Sequence, residues 1–148
     1  MIDTSQFAQL VALDNGLSVV VTLRADGTPH ATVVNAGVLL HPTTGASVVG
    51  FVAAGSSRKL AHLRANPVVV VVVRAAWQWA AVEGYAQLIG PDDPHPDIND
   101  EQLRLLLRRT FTAAGGAHDD WATYDNVMRD ERRAAVLVSP TRTYSNPQ

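Results

Sequence analysis

The chain has 148 residues, of which 47% are hydrophobic and 18% charged, a balance typical of a single globular domain and not of a disordered segment. Its formal net charge of −2 offers no general attraction for nucleic acid or for an anionic membrane surface, so we expect neither as a partner. The chain lacks cysteine, which excludes disulfides, thiolate nucleophiles, iron–sulfur clusters and cysteine-ligated zinc. Any redox chemistry therefore requires a bound cofactor.

The N-terminal residues, beginning Met1-Ile2-Asp3-Thr4, show no basic region followed by an apolar run and so do not resemble a secretory signal. The most apolar segment, residues 68–73, consists of six valines, whereas a membrane-spanning helix needs about 20 residues. We therefore expect a cytoplasmic protein without a membrane span.

Hydrophobic periodicity, β-branched runs and turn residues predict ten elements in the chain. They are a helix over 5–13, strands over 17–24, 30–40 and 46–53, a helix over 56–65, strands over 68–73 and 77–89, helices over 100–112 and 119–128, and a strand over 134–144. Hairpins join most of these strands, and such antiparallel strands tend to close into a barrel. We expect one mainly β domain over 1–148, a six- to seven-stranded antiparallel barrel with flanking helices.

Two strands carry distinctive residues. The run 68–73 is apolar at every position, which predicts a strand covered on both faces. Odd positions of 77–89 share one face, so Trp77, Trp79 and Tyr85 are predicted to line up there.

Two other features predict how elements begin and pair. Asn99 and Gln102 have the spacing of a capping box for the helix that follows. Pro140 lies inside the last strand and predicts either an edge strand or a bulge, because proline cannot donate to a sheet ladder.

Most familiar catalytic patterns are absent from the sequence. None of the five histidines has the spacing of a helical zinc motif, and no serine lies in a glycine-flanked strand-to-helix elbow, so we expect neither a metal site nor a hydrolytic triad. The acidic pairs at 92–93, 119–120 and 130–131 are typical of solvated loops and helix caps.

Residues 56–59, Ser-Ser-Arg-Lys, place two cations at a predicted helix start, where the helix dipole disfavours positive charge. A bound phosphate would compensate these charges by accepting bonds from free backbone N–H groups and serine hydroxyls; the alternative is ordinary solvated surface charge. Trp77 and Trp79 are either core residues or a wall against a flat ligand ring.

The order of these pieces resembles the pyridoxamine-phosphate-oxidase-like split barrels, and among them the flavin/deazaflavin oxidoreductases common in actinobacteria. The resemblance runs nearly end to end and rests on residues 21–30, 59–67 and 82–86. Residues 117–133 and the final strand resemble the branch that uses the deazaflavin coenzyme F420. The arginine-containing C-terminal motif of true pyridoxamine phosphate oxidases is absent, which argues against vitamin B6 oxidation.

The resemblance implies a homodimer with two cofactor sites at the subunit interface. It implies that Lys59 holds the cofactor phosphate together with Ser57 and Arg58, although Ser57 stands where some relatives carry a second cation. Several residues are implied to support or enclose the ring, with the tryptophans coming from the other subunit: Val33 to Asn35, Gly50, Phe51, Trp77 and Trp79.

The resemblance thus predicts an F420-dependent oxidoreductase, in which the reduced cofactor gives a hydride to an apolar or conjugated small molecule such as a quinone or a tetrapyrrole. His30, Tyr85 and solvent are candidate proton donors. One alternative is an FMN-binding relative, and the other is a non-catalytic carrier of flavin, haem or tetrapyrrole.

Overall fold

Six antiparallel strands close into a barrel, which confirms the expected mainly β split-barrel fold. The computed structural model describes residues 2–147, so Met1 and Gln148, the ends of the predicted domain, lie outside the described residues. The strands are β1 (Leu17–Leu23), β2 (Pro29–Leu40), β3 (Ser47–Ala53), β4 (Val68–Ala75), β5 (Gln78–Ile89) and β6 (Ala134–Ser145). They are hydrogen-bonded in the order β1-β2-β3-β6-β5-β4, and β4 closes onto β1.

Four helices flank the barrel, as the hydrophobic spacing predicts. They are α1 (Ser5–Val11), α2 (Arg58–Ala65), α3 (Asp100–Ala113) and α4 (Trp121–Asp130). None of the helices in residues 2–147 is both long enough and apolar enough to cross a membrane.

The apolar core has two parts. One fills the barrel and includes the fully buried Phe51, together with α1 and the inner face of α2. The other lies between the outside of the barrel and the helices α3 and α4, where Leu106 and Leu107 pack against Leu137. The second core holds the two long helices over β2, β3 and β6.

The barrel splits between β2 and β3. Their ladder runs from Leu40–Ser47 to Ala36–Phe51. Beyond that pair, residues 29–35 of β2 continue only with β1, while Val52 and Ala53 continue only with β6. The two strands therefore diverge and leave a gap between them.

The valine strand differs from its prediction. Val69, Val71 and Val73 are buried inside the barrel, but the alternate positions point outward, and Val68 is 41% exposed. The expectation of cover on both faces is therefore wrong within a single chain, because the outward side chains of β4 keep part of their surface exposed.

Trp77 also lies elsewhere than predicted. It belongs to the two-residue turn between β4 and β5, next to Ala76 with a φ of 53°, and is 91% exposed. Trp79 and Tyr85 share the outer face of β5, and the ring of Trp79 meets that of Tyr144 edge-on, with centroids 6.1 Å apart.

The predictions for Asn99 and Pro140 are confirmed. Asn99 Oδ1 accepts from the Gln102 backbone N–H, and Gln102 Oε1 accepts from the Asn99 N–H, both at 2.8 Å. The β5–β6 register shifts between Glu83 and Gly84, opposite Pro140, so β6 accommodates the proline by a bulge.

Candidate functional site

A cleft of about 500 Å³ opens at the split between β2 and β3. Volumes of about 300–1,000 Å³ are usual for small-molecule and cofactor sites. The floor comes from β2 and β3, one end comes from the start of α2, and α3 and α4 form a wall. The cleft is the principal candidate for a ligand site in the described part of the chain.

Unpaired strand backbone borders the cleft. The Ala36 N–H donates to the Gly16 carbonyl on the β1 side of β2. Backbone groups alternate sides along an antiparallel strand, so those of Val33 and Asn35 face the gap, where β3 has already diverged. This edge can hydrogen-bond a polar ring system. The Asn35 amide donates to the Asn15 carbonyl at 2.8 Å, which fixes the side chain beside the cleft.

The α2 end of the cleft suits an anion. Ser57 occupies the N-cap position of α2, but its side chain makes no capping hydrogen bond. Its Oγ is buried and has no hydrogen-bond partner among residues 2–147. Since buried hydroxyls are nearly always paired, this orphaned group indicates a ligand atom that would complete it.

Lys59 supplies positive charge at the same end. It is the only lysine in the chain, is half-buried, and makes no ion pair within residues 2–147. Burial lowers the pKa of its ammonium group, and the positive charge of Arg133 lowers it further. A half-buried cation beside a second cation is electrostatically uncompensated, and an anion would stabilise both.

Aromatic rings on α3 and α4 form the opposite wall. Phe111 and Tyr124 line the cleft with ring centroids 5.1 Å apart, and Trp121 packs edge-on against both. The Tyr124 hydroxyl donates to the Leu107 carbonyl at 2.9 Å, and burial raises its pKa to about 12, so the phenol stays neutral at physiological pH. The wall is apolar and held in place.

An ion pair anchors this wall from behind. Arg108 Nε donates to Asp125 Oδ1 at 2.9 Å, and the guanidinium lies 5.1 Å from the centre of the Trp121 ring. The Arg108 hydrogen bonds lower the pKa of the Asp125 carboxyl, and Arg104 acts in the same direction. The ion pair joins α3 to α4 and keeps the aromatic residues on one side of the cleft.

Five of the predicted site residues line the cleft together: Val33, Val34, Asn35, Ser57 and Lys59. Arg58 precedes Lys59 but is exposed and does not line it.

The other predicted residues lie outside this cavity. Phe51 is buried in the barrel core, and Gly50 packs beneath Thr110 of α3, where an added Cβ would lie 3.3 Å from the threonine methyl group. Trp77 and Trp79 belong to the β4–β5 hairpin and do not line the cleft of this chain.

Sequence reasoning did not single out Arg133 or the α3–α4 aromatic residues as parts of the site. The helical spacing of Phe111 correctly indicated a packed face but did not show which barrel strands it would overlie. Arg133 follows a helix end and closes the segment 117–133 that carries part of the resemblance, but no local pattern indicates that its side chain reaches the cleft.

The candidate proton donors are also outside the cleft. The His30 ring meets the His62 ring edge-on, with centroids 5.0 Å apart, and its Nδ1 is buried without a partner among the described residues. Burial lowers the pKa of His30, and the charge of Arg24 lowers it further. Tyr85 is 56% exposed on the outer face of β5.

Residues 4–145 match the model of the pyridoxamine 5′-phosphate oxidase family. The chain belongs to this family. The expected resemblance to the pyridoxamine-phosphate-oxidase-like proteins is therefore confirmed for nearly the whole sequence.

Solved structures with the same fold include a conserved hypothetical protein of Mycobacterium tuberculosis, which is 19% identical with a TM-score of 0.68; the match covers 98% of this chain and 84% of that one. A protein described as an F420 reductase is 17% identical with a TM-score of 0.58, over 90% and 93% of the two chains. An FMN-binding protein of Nostoc punctiforme related to pyridoxamine 5′-phosphate oxidase is 14% identical with a TM-score of 0.62, over 96% and 79%.

Proposed function

We propose that this protein is an F420-dependent oxidoreductase that binds the deazaflavin in the cleft between β2 and β3. The observation that carries the proposal is the α2 end of the cleft, where the Ser57 hydroxyl and Lys59, both without a partner among residues 2–147, lie beside a free strand edge. A cofactor that joins a phosphate to a flat, polar ring system requires both a cationic end and free backbone hydrogen-bonding groups. The structural similarity to a described F420 reductase supports the choice of cofactor.

The residues present fit such a cofactor. A phosphoryl oxygen can accept a hydrogen bond from the Ser57 hydroxyl, and the ammonium group of Lys59 can offset the negative charge of the phosphate. The first backbone N–H groups of α2 add donors at the same point. The exposed backbone of Val33 and Asn35 can hydrogen-bond the polar edge of the ring, and Phe111 and Tyr124 exclude water from its apolar surface.

When bound in reduced form, the cofactor supplies a hydride for an apolar or conjugated acceptor, such as a quinone or a tetrapyrrole. The protein contributes orientation and electrostatics and forms no covalent bond. The acceptor gains a hydride and a proton, and the cofactor loses two electrons. Neither His30 nor Tyr85 lines the cleft, so we propose that solvent supplies the proton.

We further propose that two copies of the chain form the working unit. A cross-strand row of side chains on the outer barrel face runs from the cleft mouth through Val33, Val19 and Val72 and, beyond the buried Ala81, ends at Tyr144. The first two are 66% and 41% exposed. A partner covering this row would close the open side of the cleft and would give the exposed Trp77 a surface to contact.

A binding titration tests the proposal. The purified, cofactor-free protein is titrated with F420 and, separately, with FMN, following tryptophan quenching and ligand emission. We expect micromolar binding that favours F420, and oxidation of reduced F420 only when a quinone or tetrapyrrole acceptor is added. Lys59→Ala should bind markedly more weakly while unfolding at nearly the same temperature.

The other outcomes separate the alternatives. Preference for FMN would assign the chain to the flavin-binding members, represented by the Nostoc structure. Tight binding without hydride transfer to any acceptor would indicate a carrier, and binding of neither cofactor would overturn the proposal.

A further inference from the structure

Arg133 reaches the cleft because of the way α4 ends. The Arg132 N–H donates to the Arg129 carbonyl at 3.1 Å and the Arg133 N–H to the Met128 carbonyl at 2.9 Å. Together with the left-handed φ of 50° at Arg132, these bonds form a Schellman motif. The chain therefore turns sharply, and Arg133 becomes part of the cleft lining immediately before β6 begins.

The same turn packs against the loop that leads into α2. The Gly55 N–H donates to the Glu131 carbonyl at 3.0 Å, and a Cβ at Gly55 would lie 2.5 Å from the Arg132 carbonyl oxygen. Ala53 pairs with Ala134 in the β3–β6 ladder. These backbone contacts fix the start of β6 beside the loop that carries Ser57.

The two arginines near Lys59 differ in position. Arg58 is exposed and does not contribute to the cleft. Arg133 lines the cleft with Ser57 and Lys59, and its side chain is only 31% exposed. The charge of Arg133 also acts on Lys59, because it contributes to the lowered pKa of Lys59.

We infer that Arg133, and not Arg58, is the second cation that binds the phosphoryl group in this cleft. The inference rests on the proposed function and deepens it by naming a binding residue from the opposite end of the chain. A guanidinium can donate two parallel hydrogen bonds to a phosphoryl group, which a lysine cannot do. Arg133 thereby supplies the second cation, which the residues around Ser57 do not place in the cleft.

Glu131 forms an ion pair with the guanidinium of Arg133. Its Oε1 accepts from Arg133 Nε at 2.8 Å and lies 2.7 Å from Arg133 Nη2, whereas Nη1 makes no hydrogen bond within the described residues. The carboxylate orients the guanidinium and partly neutralises it. An incoming phosphoryl group therefore competes with Glu131 for the same positive charge.

Four single variants test the assignment in the full-length protein: Arg133→Gln, the conservative Arg133→Lys, Glu131→Gln, and Arg58→Gln as the matched control. In FMN and F420 titrations we expect roughly tenfold weaker binding for Arg133→Gln, the loss of a charged hydrogen bond. Arg58→Gln should stay within about twofold of wild type, since an exposed charge contributes little. Glu131→Gln should bind more tightly, and Arg133→Lys should recover part of the affinity.

A second probe makes the result independent of the cofactor. Inorganic phosphate should protect Lys59 from an acylating reagent in the wild type and in Arg58→Gln, but much less in Arg133→Gln. Thermal unfolding of each variant checks that the fold is intact. Equal protection in Arg133→Gln and the wild type, or greater loss in Arg58→Gln, would overturn the inference. If phosphate protects as expected but neither cofactor binds, the proposed function fails while the anion site stands.

Discussion

Lys59 combines three properties that rarely coincide in one side chain. It is the only lysine, it is half-buried at a helix start, and it has a second cation as its electrostatic neighbour. Burial and the neighbouring cation both disfavour the charged ammonium group in the protein without a ligand. The sequence indicated the cation at the helix start, but it could not indicate that the neighbour would be Arg133, 74 positions further along the chain.

The lowered pKa of Lys59 has a chemical consequence. Burial is the larger cause and Arg133 the smaller, and both raise the fraction of neutral amine at a given pH. We expect Lys59 to be acylated faster at pH 8 to 9 than the lysine of a short unstructured peptide with the sequence of residues 56–62. Peptide mass spectrometry measures both rates in the same reaction. Since burial also limits access, a small uncharged reagent is required.

The control for this experiment is the effect of pH. The rate advantage over the peptide should be largest below the ordinary lysine pKa and should shrink as the pH rises through it, because both amines are then neutral. A rate advantage that is constant with pH would indicate a difference in access and would contradict the charge explanation. Arg133→Gln should reduce the advantage, because one of the two causes has been removed.

At the scale of elements, local patterns predicted most boundaries. The capping box at Asn99 and the bulge at Pro140 are local devices, and both were predicted from residues a few positions apart. Errors arose where exposure depends on distant packing. The valine strand has the same local sequence whether or not something covers its outer face, and the turn at Trp77 follows from the register of β4 on β5, which the sequence does not encode locally.

The residues of the cleft divide in the same way, into those predicted from the local sequence and those placed by distant packing. Ser57 and Lys59 are neighbours in sequence and were found together, whereas Phe111 and Arg133 reach the cleft through helix packing and a helix C-terminus. No short-range signal connects them. Only the β2–β3 split and the β3–β6 pairing bring these elements to one place.

The contact between Gly55 and Arg132 joins the loop before α2 to the turn between α4 and β6, next to the β3–β6 pairing, and its removal should affect both stability and binding. In Gly55→Ala the new Cβ would meet the Arg132 carbonyl oxygen at 2.5 Å, so the backbone must separate. We expect the free energy of unfolding to fall by about 1–3 kcal/mol and phosphate or cofactor binding to weaken, because Arg133 moves away from Lys59. Urea denaturation and the titration measure the two effects.

The control for Gly55→Ala lies on the same loop. Ser56 is exposed, and Ser56→Ala should change neither stability nor binding by more than the error of measurement. If Gly55→Ala behaved like Ser56→Ala, the loop and the α4–β6 turn would not be coupled, and the position of Arg133 would need another explanation.

At the scale of the whole molecule, the two long sides of the barrel are unequal. The helices α3 and α4 cover β2, β3 and β6, whereas β1 and β4 present valines such as Val19 and Val68 to solvent. A single chain leaves this apolar face and the mouth of the cleft open together, because Val33 belongs to both. The proposed homodimer would close both at once.

A charge in the middle of that face should therefore separate the two copies. Val19 lies between Val33 and Val72 in the cross-strand row, so Val19→Glu would bury a carboxylate in any interface formed there. We expect the wild type to sediment as a dimer and Val19→Glu as a monomer that binds cofactor more weakly. Leu105→Glu is the matched control, since Leu105 is exposed to a similar extent, 43% against 41%, but lies on α3. The Leu105→Glu variant should remain dimeric. A wild-type monomer, or a dimer that Val19→Glu leaves intact, would show that this face is not the interface and that the cleft functions within a single chain.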